Sequence, residues 1–142
     1  MRKIKYNKEL YFISERIIDD NILVPKIPNN YFTENGYEDN KIKRVCFGKS
    51  VDACLMALSK NCKDLCFYVY TVNNTSEYEV FKPSIIDVPD SKITGELWIL
   101  TNVKVSYVGK IKCIDSIPND GYLFKYGHNV ARLYDWEYEW VK

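Results

Sequence analysis

A single carboxylate, Glu96, stands at the mouth of the apolar run Leu97-Trp98-Ile99-Leu100 in the stretch DSKITGELWIL. Burying an unpaired carboxylate beside a strand-forming run is costly. The position therefore has one of two meanings. Either Glu96 is a solvated strand-start residue paired with Arg44 or a nearby Lys, or it is held at an open sheet end for a chemical task. Other catalytic templates are missing: the chain has no Gly-rich phosphate loop, no HExxH and no GxSxG elbow. Its one histidine, His128 in KYGHNV, has no cysteine or serine motif beside it. Five cysteines are scattered without a CxxC pair, a pattern of small buried hydrophobes in a reducing compartment rather than of a zinc site.

The elements that must position these residues follow from periodicity. ELYFIS reads as a short strand, and ERIIDDNILVPKIPNN as a turn or short helix followed by an extended, proline-marked stretch. Residues 29–43, NNYFTENGYEDNKIK, keep neither a helix nor a strand period and read as a long aromatic and polar loop. In RVCFGKSVDACLMALSK, Arg44 to Phe47 form a strand, Gly48-Lys49 a tight turn and Ser50 an N-cap. Val51, Cys54, Leu55 and Leu58 then mark the apolar face of one buried helix.

LCFYVYTV is nearly continuous in apolar character, as befits a strand covered on both faces. YEVFKPSII reads as a strand that Pro83 confines to an edge or a bulge. In the opening stretch, alternation puts Glu96, Trp98 and Leu100 on one face, with Leu97 and Ile99 on the other. VKVSYVGKIKCI turns Val103, Val105, Tyr107, Ile111 and Cys113 one way and its lysines the other, with Gly109 marking a bulge. The tail YDWEYEW alternates too: Tyr134, Trp136, Tyr138 and Trp140 oppose Asp135, Glu137 and Glu139. That strip is either a stacking platform for bases or an aromatic lining that closes the core, and its acidic neighbours favour the lining. The order of elements is α+β: one domain over residues 1–142, with one helix packed on a bent or split, mostly antiparallel sheet.

Composition is that of a globular protein, 46% apolar and 27% charged, and 142 residues suffice for a real core. The abundance of aromatics, with 12 Tyr, 6 Phe and 3 Trp, favours β structure and leaves rings for a surface. A net charge of +1 lacks the basic footprint of a nucleic-acid binder. The start MRKIKYNKELYFIS has no sustained apolar core, and no run reaches the ~20 residues that span a bilayer. The expectation is a cytoplasmic protein without a membrane partner.

GELWILTNVKVSYVGKIKCI resembles the last block of the ADP-ribosyltransferase-like fold, where a glutamate begins a strand of the form E-φ-φ-φ, with φ an apolar residue, and a V-φ-x-x-I-x-x-I segment forms the next strand. ELYFIS, LVPKIP and RVCFGKSVDACLMAL resemble that fold's earlier elements in order. The chain also resembles phage and prophage proteins of low-GC Gram-positive bacteria. The resemblance implies NAD as cofactor and no metal. It implies that Glu96 is catalytic, holding the nicotinamide ribose and stabilising the oxocarbenium-like state as nicotinamide leaves. Ser14 would line the pocket, Phe47 or Tyr31 would stack on the nicotinamide, and Arg16, Arg44 and Trp98 complete the implied ligand-binding set. LYFIS lacks the Arg or His that such proteins carry in the first strand, and Thr94 stands where modifying enzymes often have Glu or Gln, so this would be a divergent member. Two functions follow as expectations. One is a small transferase that passes ADP-ribose from NAD to a host macromolecule. The other is a non-catalytic anti-defence protein that inhibits a host protein by contact or captures a nucleotide signal, with the loop and the aromatic tail as its interface. Oligomeric state is open.

Overall fold

The computed structural model describes residues 1–28, 39–58, 60–88, 91–117, 122–126 and 129–142, with the backbone alone for 122–126 and 129–132. Eleven strands are formed in these segments: β1 Arg2–Ile4, β2 Tyr11–Ser14, β3 Ile22–Leu23, β4 Val45–Phe47, β5 Cys66–Val72, β6 Val80–Lys82, β7 Leu97–Ile99, β8 Val103–Ser116, β9 Tyr122–Tyr126, β10 Asn129–Leu133 and β11 Trp136–Val141. Helix α1 spans Val51–Ala57 and a single turn, α2, spans Ser91–Thr94. The α+β class is as expected, and the sheet is split. One sheet has the order β1-β6-β7-β4, and the other runs β11-β8-β5-β2 with β3 added to the start of β8. β9 and β10 form a separate hairpin, and all pairings are antiparallel.

The second sheet is buried on both sides, which the apolar run of β5 requires. Tyr70 and Val72 face a core shared with Val45, Phe47, Leu97 and Ile99 of the first sheet. Phe67 and Val69 face a second core, closed by Val51 and Leu55 of α1 and by Trp136. The molecule is therefore layered as sheet on sheet on helix. Ser50 caps α1 as its sequence requires, its hydroxyl accepting from the Ala53 amide at 3.0 Å. Replacing Ser50 by alanine is expected to cost about 1 kcal/mol, read as a lowered urea midpoint at unchanged slope. Gly48 precedes the cap because a Cβ there would meet the Cys54 sulfur at 2.6 Å.

Several expectations need correction. The face assignment of β8 fails halfway along, because β8 carries an extra residue against β5. Val69 pairs with Gly109, yet Tyr70 pairs with Tyr107. The bulge was legible at Gly109, but its consequence was not: Val103, Val105 and Tyr107 share the face of Tyr70, whereas Ile111 and Cys113 share that of Phe67. A bulge reverses the inside and outside of everything beyond it. β6 is not an edge strand but lies between β1 and β7, with Pro83 just past its end, where no ladder donor is needed. The helix α2 was not anticipated in DVPDSKIT. Of the long loop, residues 29–38 lie outside the described residues, as do Tyr31 and His128.

The aromatic tail does close a core. Trp136 is buried with Tyr134 and Tyr138 packed beside it, while Trp140 is half exposed and lies over Gly109, about 3 Å from where a Cβ would be. The five cysteines are free thiols, of which Cys54, Cys62 and Cys113 are buried. Burial pushes the Cys54 and Cys113 thiols up to about 12, so both are packing residues rather than nucleophiles.

Candidate functional site

β7 is short, wholly buried and paired on both sides, so the residue that opens it cannot be fully solvated. Glu96 is 9% exposed. Leu97 and Ile99 point into the core between the sheets, which leaves Glu96 and Trp98 on the outer face of the first sheet. Register then brings the partners. Cys46 of β4 lies opposite Trp98, Phe81 of β6 lies opposite it on the other side, and Arg44 precedes Cys46 by one alternation.

The result is a packed polar layer. The Trp98 indole N–H donates to Glu96 Oε2 at 2.9 Å. The Arg44 guanidinium lies over the Trp98 ring, its Cζ 4.2 Å from the ring centroid, a cation–π contact in a desolvated setting. Arg44 is 1% exposed, and its Nη1 donates to Asp39 O at 2.8 Å, to Asp39 Oδ2 at 3.1 Å and to Ile42 O at 2.9 Å. Asp39 in turn accepts from the Ile42 amide at 2.7 Å, so the turn after the long loop is tied to the sheet through Arg44.

Burial pushes the Glu96 carboxyl above its ordinary value, and the Trp98 indole, the Cys46 thiol and the Arg44 charge each pull it part of the way back. The sign of the pH effect follows. A carboxyl whose folded value is raised binds its proton more tightly in the native state. Stability is thus full below the ordinary value of 4.5 and declines as pH rises from there through the raised folded value. Glu96→Gln is expected to remove this decline, so that the variant's denaturant midpoint, measured from pH 4 to pH 8, gains on the wild type as pH rises.

The structure brings Glu96, Arg44 and Trp98 together. It adds Cys46 and Asp39, which the sequence reading missed; the alternation of Arg44 and Cys46 on one strand was the available signal. The other implied site residues lie elsewhere. Phe47 is 2% exposed and points into the core, where it meets Phe12 edge to face at 6.3 Å, so it is not placed beside the carboxylate. Ser14 is on β2 of the other sheet, opposite Tyr68, and its hydroxyl accepts from the Arg16 amide at 3.1 Å. Arg16 is exposed just beyond it. Among the described residues, no group of three or more His, Cys, Asp or Glu side chains is placed to hold a metal ion. No described helix is long and apolar enough to cross a membrane.

Chemically, the layer can hold a charge in a fixed place and tie two segments together. Its carboxylate is already met by an indole and a thiol. The chain matches no protein-family model, no curated protein and no solved structure.

Proposed function

We propose that the protein is a non-catalytic binding protein that acts on a partner protein through the ribbon formed by β8 and β11. One observation carries this reading. Half of the large apolar side chains left exposed among the described residues lie on or beside that ribbon: Tyr107, Val108, Ile114, Ile117, Trp140 and Val141 are each between 37 and 52% exposed. Exposed apolar side chains gathered on one element mark contact surfaces, here with Tyr107 on the face of Tyr70 and Trp140 on that of Ile111, and Trp and Tyr dominate the energetics of such surfaces. The charges between them are mixed, with Lys110 and Lys112 facing Val141 and Glu139 in register. Mixed signs suit a protein partner rather than a polyanion. β11 is also an edge strand, and Glu137 and Glu139 along it discourage indiscriminate strand addition. Glu96, meanwhile, is engaged in the fold. The resemblance to phage and prophage proteins supports a host protein, one that acts in defence, as the partner.

The test compares two purified variants as baits in host lysate. The double variant Tyr107→Glu with Trp140→Glu is expected to lose the partner that the wild type captures, and Glu96→Gln is expected to keep it. Capture indifferent to the surface change, or lost with Glu96→Gln, overturns the reading.

A transferase is the second reading, favoured by one feature. Glu96 opens β7 directly after Gly95, whose φ of +67° favours glycine, so that this position carries no side chain at the strand mouth, and a desolvated carboxylate suits oxocarbenium stabilisation. Nicotinamide released from NAD by the wild type and not by Glu96→Gln would put this reading in place of the first.

A further inference from the structure

The link between β1 and β2 and the turn before α1 form the walls of a wide, open bowl. Its volume is about 670 Å³ and its lining is Tyr6, Asn7, Lys8, Glu9 and Lys49. We propose that this bowl binds a nucleoside phosphate, with Lys8 and Lys49 holding the phosphate and the Tyr6 ring taking the base. The proposal is independent of the protein-contact reading above.

The two walls are fixed to each other by backbone. Tyr11 N donates to Gly48 O at 2.8 Å and Gly48 N donates to Tyr11 O at 3.0 Å, so Lys8 and Lys49 each lie within a few residues of a rigid double bridge. Both lysines are exposed, and no ion pair engages either among the described residues. Lys49 Nζ lies 4.0 Å from where a Cβ on Gly95 would be, so the missing side chain at Gly95 leaves room for that ammonium beside the mouth of β7.

Glu9, the one acid in the lining, accepts from the Tyr11 hydroxyl. Two cations against one engaged carboxylate leave the bowl positive. Tyr6 is half-buried against the first core, and its hydroxyl donates to Glu9 O at 3.2 Å. Its ring is thereby placed before any ligand arrives, which lowers the cost of ordering it. Asn7 offers an amide with both donor and acceptor, the group that reads a base edge.

The chemistry of this set is specific in combination. Ammonium groups on flexible stems are point charges suited to phosphate. A fixed aromatic ring beside them adds stacking, worth about 1–3 kcal/mol per base. A bare anion would leave the ring and Asn7 unused, and a nucleoside would leave both cations unused.

The experiment is calorimetric titration of the purified chain with ADP, adenosine and orthophosphate at low salt. ADP is expected to bind, and adenosine and orthophosphate to bind at least about tenfold more weakly, a difference of roughly 1.4 kcal/mol. The double variant Lys8→Ala with Lys49→Ala is expected to weaken ADP by about tenfold or more, and Lys60→Ala with Lys63→Ala to leave it unchanged. The four lysines are exposed, so every variant retains its core. Absence of ADP binding at millimolar concentration overturns the proposal. So does orthophosphate binding as tightly as ADP, which would make the bowl a plain anion site, or an equal loss in the control pair, which would make the attraction unspecific.

Discussion

Trp98→Ala is expected to be the most damaging single substitution in the protein, costing about 3–5 kcal/mol and lowering the Tm by roughly 10–20 °C. Trp98 is 0% exposed, and three things depend on its ring. It fills the outer face of the first sheet between Cys46 and Phe81, it donates to Glu96, and it is the surface on which Arg44 lies. Truncation leaves a cavity and also strips a buried carboxylate and a buried guanidinium of a contact. Trp98→Phe separates these contributions. It keeps an aromatic ring for Arg44 but removes the N–H together with the pyrrole half of the indole, so about 1–3 kcal/mol should be lost from the bond and more from packing. The loss should grow with pH, because the indole is one of the groups that draw the Glu96 carboxyl back toward its ordinary value. A Trp98→Phe variant as stable as the wild type across pH would show that the indole–carboxylate bond contributes nothing.

Arg44→Met is expected to follow, at about 3 kcal/mol, the low end for breaking a buried ion pair, because Arg44 is buried while Asp39 is only partly so. Methionine matches the stem but leaves Asp39 Oδ2 and the carbonyls of Asp39 and Ile42 without the donor that Nη1 supplies. Arg44→Lys should recover only part of the loss. An ammonium is a compact point charge on a single stem, and it cannot cover the indole as the guanidinium does while reaching the same three acceptors. Thermal unfolding of the two variants checks this. Full recovery with lysine would mean that charge alone, and not the planar group, holds the layer. Because Asp39 Oδ2 also orders the turn that precedes β4, limited proteolysis of Arg44→Met should cut near residues 39–43 earlier than in the wild type.

What the sequence determined by itself was everything that depends on a residue's near neighbours in the chain. Ser50 and the spacing of Val51, Cys54 and Leu55 specify α1 because a cap and a helical stripe are satisfied within a few residues. The unbroken apolar run at β5 requires cover on both faces, and it has it. Alternation in GELWIL fixes that Glu96 and Trp98 share a face, and the structure joins them by a hydrogen bond. The α+β class follows from the same signals.

Only the tertiary structure decided which way those faces point and what meets them. Gly109 marks the bulge in β8, but which residues it turns over is a mismatch in residue count between two strands, and neither strand alone records that. The place of β6 inside a sheet depends on β1, from the start of the chain, and on β7, which follows it, pairing on its two sides. Phe47 has the residue type of a stacking ring, but the register of β4 against β7 turns it into the core. The state of Glu96 was beyond local reading for the same reason. The cost of burying a carboxylate is set by the segments that exclude water from it and by the donors they bring. Here β4, distant in sequence, brings both Cys46 and Arg44. Side-chain period is a property of a strand, whereas desolvation is a property of everything packed against it.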